Sequence, residues 1–220
     1  MIFSNDAPPR SQSYGVIYAD SPWKYKNWSA KGEGRNASSH YGCMEFEDLA
    51  RLPVADCAAR DCVLFLWVTD PLLPKGIELI ERWGFEYKTI GFCWAKLNKT
   101  SKAKSPYFMG TGYWTRANPE LCLLATRGRP KRISKSVRQL IVEPRREHSR
   151  KPDVVRDQIE QLVAGPYLEL FARETKSGWD CWGNEAGLFD KGSVNTRRQP
   201  SGRVNPAQLA GDSDDGPTTV

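Results

Sequence analysis

Residues 14–23 read YGVIYADSPW, a strand-like run from Tyr14 to Ala19 that stops on Asp20, Ser21, Pro22 and Trp23. A short run of this kind, bounded by turn residues, reads as a buried strand. In open α/β sheets ligands bind beyond the carboxyl ends of the strands. An acid placed first after such a strand is therefore a candidate functional group. The Asp20 carboxylate and the Ser21 backbone carbonyl offer two acceptors. Pro22 stiffens the turn, and Trp23 presents a flat face on which a base can stack. An Asp-Ser-Pro turn with a packed Trp accounts for the same four residues, and taken alone they leave both readings open.

Outward from this stretch, Lys24 to Tyr41 is polar and rich in Gly, Ser and Asn, a loop long enough to suggest function. Glu45 to Leu52 suits a short helix closed by Pro53. Cys62 to Thr69 (CVLFLWVT) is almost continuously apolar, as in a strand covered on both faces. Leu72 to Trp83 places Leu73, Ile77, Ile80 and Trp83 on one helical face, with Gly84 as a stop. Tyr87–Leu97, Glu120–Thr126, Arg138–Val142 and Tyr167–Ala172 read as further strands. Asp153–Val163 reads as a helix, with Pro152 near its first turn. Asn98–Gly112 and Pro144–Lys151 are charged loops. This alternation predicts an α/β fold, a mostly parallel sheet flanked by helices. The 220 residues suit one domain, expected over 14–189. Residues 1–13 then form an N-terminal extension, and the Gly-, Ser-, Asn-, Arg- and Asp-rich 190–220 a disordered tail.

The 32 basic and 26 acidic residues leave a net charge of +6, weak evidence by itself for a polyanionic partner. The basic residues are concentrated, however. Lys96 and Lys99 stand with Lys102 and Lys104 beside Tyr107 and Phe108. Arg129 and Lys131 lie in a second run, and Arg145, Arg146, Arg150 and Lys151 form a third. Lys96, Lys99, Arg129, Lys131, Arg145, Arg146 and Arg150 are the candidate phosphate contacts, with the salt sensitivity that implies. A solvated basic face without a ligand gives the same pattern. The six cysteines include no CxxC pair, and the two histidines, His40 and His148, stand apart from them. No metal site is expected, and the thiols read as reduced. There is no apolar run near the ~20 residues of a membrane span and no signal-peptide pattern, so a cytoplasmic protein without membrane contact is expected. A G-x-G-x-x-G or P-loop pattern is also absent.

From Tyr14 to Leu188 the chain resembles the DPPW-type adenine methyltransferases. That family includes the catalytic subunit of the eukaryotic messenger-RNA adenosine methyltransferase, with bacterial and phage members. The resemblance is carried, in order, by YADSPW, by Tyr41-Gly42-Cys43-Met44, by LFLWVT (64–69), by Trp83-Gly84 and by WAKLNK (94–99). It continues through GTGYW (110–114), Glu120 to Leu123, HSRKPD (148–153), ELFAR (169–173) and the Gly178-Trp179 and Gly183-Asn184-Glu185 pairings. It implies a Rossmann-like methyltransferase whose catalytic motif precedes its cofactor motif, with S-adenosyl-L-methionine as the cofactor. Asp20, Ser21, Pro22 and Trp23 would be catalytic. Asp20, Lys151, Phe171, Arg173, Asn184 and Glu185 would hold the cofactor, while Trp23, Tyr41 and Glu120 would meet the target base.

The implied reaction is methylation of the N6 amine of adenine in a nucleic acid. DNA is favoured over RNA, because the chain carries no added RNA-binding module. A homodimer or heterodimer in the cytoplasm of a bacterial or phage-infected cell completes the expectation. Ser21 stands where the family has its first Pro, and Glu185 where it often has Gln. Glu174, Thr175 and Lys176 depart from the family's cofactor contacts. A catalytically silent nucleic-acid-binding subunit is the alternative class. It predicts loss of the acid or the stacking aromatic, yet Asp20, Pro22, Trp23, Lys151 and Asn184 are all present.

Overall fold

The run at 14–19 forms β2 (Tyr14–Ala19) near the middle of an eight-stranded sheet, buried along almost its whole length. The computed structural model describes residues 2–3, 8, 14–24, 43–99, 105–147 and 150–190. The other strands are β1 (Ile2–Phe3), β3 (Ala58–Val68), β4 (Glu86–Leu97), β5 (Glu120–Arg127), β6 (Leu140–Pro144), β7 (Tyr167–Leu170) and β8 (Trp179–Trp182). Their spatial order is β1-β8-β7-β2-β3-β5-β4-β6. Every neighbouring pair is parallel except those of β5, which runs against both β3 and β4.

Helices cover both faces, as a sheet apolar on both sides requires. On one face α1 (Phe46–Ala50), α2 (Val54–Cys57) and α3 (Leu73–Arg82) pack Leu49, Val54, Leu79, Ile80 and Trp83 over Ile17, Leu64, Leu66 and Leu123. On the other, α4 (Val154–Leu162) packs Val155 and Ile159 over Val16, Tyr18, Phe65 and Phe92. The indoles of Trp67 and Trp83 find acceptors, as most buried polar groups do. Trp67 Nε1 donates to the Tyr18 hydroxyl at 2.7 Å, and Trp83 Nε1 to the Leu49 carbonyl at 2.9 Å.

Several boundaries move from their sequence expectation. The Cys62 run begins already at Ala58, and the Arg138–Val142 strand lies at Leu140–Pro144. The helix expected over Glu45–Leu52 spans only Phe46–Ala50 and ends before Pro53, which instead caps a second helix, α2. In α3 the most buried positions are Gly76, Leu79 and Ile80, while Leu73 and Ile77 are only partly covered. Gly84 takes φ +79°, the left-handed turn that closes a helix. Part of the 1–13 segment, Ile2–Phe3, adds to the sheet edge beside β8, a strand whose four residues gave no periodic signal. Of the expected disordered tail, 190–220, Asp190 is described and accepts hydrogen bonds from Thr175, while 191–220 lie outside the described residues.

The connections place the site. The chain leaves β2 toward β3 on one side, while the adjacent β7 leads to β8 on the other. Neighbouring strands whose chains depart in opposite directions form a topological switch point, where a crevice opens beyond the carboxyl ends. Asp20 follows β2 directly, and Phe171 follows β7.

Candidate active site

The loop after β2 is held by backbone bonds. Trp23 N–H donates to the Ser21 carbonyl at 2.9 Å across Pro22, a tight turn suited to proline's fixed φ. Met44 N–H donates to the Pro22 carbonyl at 2.8 Å, and Lys24 N–H to the Met44 carbonyl at 3.1 Å. The Trp23 indole is oriented by its Nε1–H on the Trp67 carbonyl, 3.3 Å away. One acceptor site of the Ser21 carbonyl is thus used internally, and a carbonyl oxygen retains a second.

Asp20, Ser21, Pro22, Phe171, Arg173, Asn184 and Glu185, drawn together from sequence, line one pocket of about 230 Å³. Met44, Trp182 and Gly183 complete its wall and were given no site role from sequence. Phe171 sits at φ +60°, a backbone region costly for a bulky side chain. Its ring lies edge-on to Trp182, with centroids 5.4 Å apart. Arg173 Nε pairs with Glu185 at 2.9 Å, joining the loop after β7 to the turn after β8. Asp20, Phe171 and Arg173 also border a second, smaller pocket of about 40 Å³ that includes Lys151.

Behind Asp20 runs a row of alternating charges. Lys151 Nζ donates to Asp20 at 2.7 Å and lies 3.3 Å from Glu120, whose other oxygen is 2.6 Å from Lys96. All four side chains are between 10% and 24% exposed, so their attraction is little screened by solvent. Burial pushes the Asp20 carboxyl above its ordinary range, even against the pull of Lys151. Burial pushes Glu120 the same way, but its two lysines outweigh it and hold that carboxyl at about 2. One acid of the row is thus a fixed negative charge, and the acid at the pocket is the more readily protonated.

The basic residues divide between the two ends of the sheet. Lys96 lies near the end of β4, and Lys99, Arg145 and Arg146 follow the ends of β4 and β6, on the edge where Asp20 lies. Arg129 and Lys131 follow β5, which is antiparallel and pairs Leu121 with Val68 but Arg127 with Cys62. They therefore emerge at the opposite edge, roughly 20 Å from the pocket at ~3.3 Å per residue. Strand direction thus separates these two candidate phosphate contacts from Lys96 and Lys99. Arg150 is also drawn inward, since it is 12% exposed and pairs with Glu174 at 2.7 Å. Arg146 pairs with Asp153, and Arg145 lies 3.6 Å from the centre of the Phe108 ring. Tyr41, His40 and His148 lie outside the described residues.

Beneath the pocket, Arg156 of α4 is 7% exposed. It donates to Glu169 at 3.2 Å, to Glu174 at 3.1 Å and to Asp153 at 3.4 Å. Burial nonetheless carries the Glu169 carboxyl from an ordinary 4.5 up to about 7, against the pull of Arg156 and with Asp20 and Glu174 adding to the rise. Between those values the folded chain keeps a proton that the unfolded chain has released. Stability is expected to fall as pH rises through that window, by at most about 3 kcal/mol. Denaturation of wild type and Glu169→Gln across the window checks this, and equal slopes in the two proteins would refute it.

This sheet order, with an acid at the switch point and a pocket between two strand ends, defines a Rossmann-like α/β methyltransferase fold. The MT-A70 family model matches residues 14–185, and the chain belongs to that family. It is 36% identical over 195 residues to the type II methyltransferase M.MunI of Mycoplasma sp, an alignment covering 80% of this chain and 79% of that protein. It is 32% identical over 186 residues to a putative N(6)-adenosine-methyltransferase MT-A70-like protein of Medicago truncatula, covering 81% of this chain and 28% of the relative. With the human N(6)-adenosine-methyltransferase catalytic subunit METTL3 it shares 28% identity over 176 residues, again 28% of that protein's length. Among the described residues no helix is long and apolar enough to cross a membrane.

Proposed function

We propose that the protein transfers a methyl group from S-adenosyl-L-methionine to the N6 amine of adenine in DNA. The observation that carries this reading is Asp20. It projects from the end of β2 onto the rim shared by two pockets, with Lys151 against its back at 2.7 Å. The larger pocket suits the cofactor chemically, because Asn184 offers an amide to a base edge and Glu185 a carboxylate to ribose hydroxyls. Phe171 and Trp182 supply its apolar walls, and Arg173, with Lys151 in the adjoining smaller pocket, supplies a cation for a carboxylate. When bound, the cofactor supplies an electrophilic methyl group on a sulfonium.

The chain's own residues prepare the amine. Its lone pair is delocalised into the adenine ring, which makes it a poor nucleophile. The Asp20 carboxylate and the remaining acceptor site of the Ser21 carbonyl each take one N–H, which draws the nitrogen toward a tetrahedral shape. Prearranged acceptors then stabilise the positive charge developing there, an oxyanion hole with its signs reversed. The raised carboxyl of Asp20 is suited to take the proton the amine gives up. Trp23, its indole already fixed by Trp67, offers the stacking face. A base inside a duplex must first be flipped out.

DNA is favoured because a relative that shares 79% of its length with this chain is named a type II methyltransferase. RNA is the second reading, favoured by the plant and human relatives named as adenosine methyltransferases. The test is transfer of labelled methyl to duplex DNA, single-stranded DNA and RNA, followed by digestion to nucleosides. N6-methyladenine from DNA alone is expected. Label in RNA alone overturns the substrate, and label on any other base overturns the chemistry.

A further inference from the structure

We propose that the loop between β4 and β5 is a stacking finger for nucleic acid, with Trp114 at its tip and a nucleobase of the bound strand as its partner. The proposal rests on the nucleic-acid reading above and adds a contact to it. Seven large hydrophobic side chains are exposed among the described residues, and four of them, Tyr107, Met109, Tyr113 and Trp114, fall within a single turn-rich segment. Trp114 is open to solvent over its whole surface, at 102% of its reference area. Isolated exposed apolar residues need no explanation, but a cluster of them does. Aromatic side chains presented to solvent in this way are suited to stack on bases.

The finger has a fixed root. The Asn118 side chain accepts the Lys96 N–H and donates to the Lys96 carbonyl, each at 3.0 Å, as a paired strand would. Gly110 N–H donates to the Ala117 carbonyl at 2.6 Å. Gly112 takes φ +62°, where a Cβ would lie 1.8 Å from the Thr115 oxygen, so the turn below Trp114 requires glycine. Lys96 is the outer member of the charged row that ends on Asp20, and Glu120 follows the loop directly. The tip is thereby rooted on the edge of the sheet where the amine is to be held.

Charge selects the partner. The described residues between the two strands, 98–99 and 105–119, carry Lys99 and Arg116 and no Asp or Glu. A second copy docked through the same loop would bring like charges together. A phosphate backbone is complementary to those charges, and any base offers an aromatic face to an indole.

The test compares wild type, Trp114→Ala and Trp114→Phe, whose exposed position leaves the core untouched. Binding is read by anisotropy of fluorescein-labelled random-sequence DNA and RNA, transfer by the KM for DNA, and mass in solution by light scattering. The alanine variant is expected to bind and to saturate about tenfold or more weakly, with phenylalanine restoring most of the loss. Cofactor affinity measured by calorimetry is expected to hold. Equal binding by wild type and the alanine variant overturns the finger while leaving the methyltransferase reading intact. Binding without any transfer overturns the methyltransferase reading instead, and the finger is still supported if the alanine variant binds more weakly. A wild-type dimer that the alanine substitution splits assigns Trp114 to a contact between copies and overturns the stacking role.

Discussion

Asp20→Asn is expected to lower the rate of methyl transfer by about 10²–10³-fold at saturating cofactor and DNA, the loss typical of removing one prearranged group from a developing charge. The substitution keeps the shape of the side chain and one acceptor oxygen, but it removes the negative charge facing the amine. It does not unstitch the site, because Lys151 keeps Glu120 at 3.3 Å and Glu120 keeps Lys96 at 2.6 Å. Asp20→Ala removes the acceptor as well and is expected to cost at least as much. A second signature separates chemistry from folding. Burial raises the wild-type Asp20 carboxyl, so the rate should climb with pH as that group ionises, and the limb should begin above the ordinary aspartate range. In Asp20→Asn that limb should vanish. Single-turnover rates over a pH series decide the matter. A variant within tenfold of wild type, or one that keeps the same limb, would show that Asp20 does not hold the reacting amine.

Part of this site was legible because its residues lie at the ends of hydrophobic runs. Asp20 ends the Tyr14–Ala19 run and Phe171 lies in the Tyr167–Ala172 run, whereas Arg173, Asn184 and Glu185 came only from the family resemblance, because the short β8 before the last two left no periodic signal. Parallel strands bring such ends to one edge, so neighbours in function are neighbours in space even when far apart in sequence. Strand direction has no such signature. The apolar run of β5 reads the same whichever way it points, yet its antiparallel course sends Arg129 and Lys131 to the far edge of the sheet. Charge alone gave Arg129 and Lys131 as candidate phosphate contacts together with Lys96 and Lys99, and it carried no sign that the two runs leave the sheet at opposite edges. The inward turn of Arg150 was hidden for a different reason. Its partner Glu174 lies 24 residues away on another element, and an ion pair at that separation leaves no local pattern. Arg156 did leave one. It lies beside Val155 and Ile159 on the buried stripe of α4, and a charge there implies partners across the core.

Arg156→Met is expected to destabilise the fold by about 3–5 kcal/mol, the usual cost of removing one member of a buried ionic group. Among the described residues the guanidinium is the one cation paired with Glu169, and it shares Glu174 with Arg150 and Asp153 with Arg146 and Arg150. Methionine fills similar volume, so the loss is one of charge rather than of packing. Glu169 would then have burial and like charges alone to face, and its carboxyl should move further above 7. The consequence reaches the pocket through Glu174, which sits one residue beyond Arg173 and is gripped from α4 by Arg156 through both its carboxylate and its carbonyl. Loosening that grip should free the loop that carries Phe171 and Arg173, so cofactor binding should weaken even where the protein remains folded. Arg156→Lys keeps the charge without the fork and should recover part of the stability but little of the cofactor affinity, because one ammonium cannot span Glu169 and Glu174 as the guanidinium does. Denaturant titration gives the first quantity and calorimetry with the cofactor the second. If Arg156→Met lost stability while binding cofactor as tightly as wild type, Arg156 would be a core residue only, and the position of the loop after β7 would have to be set by Arg150 and by the bonds from Thr175 to Asp190.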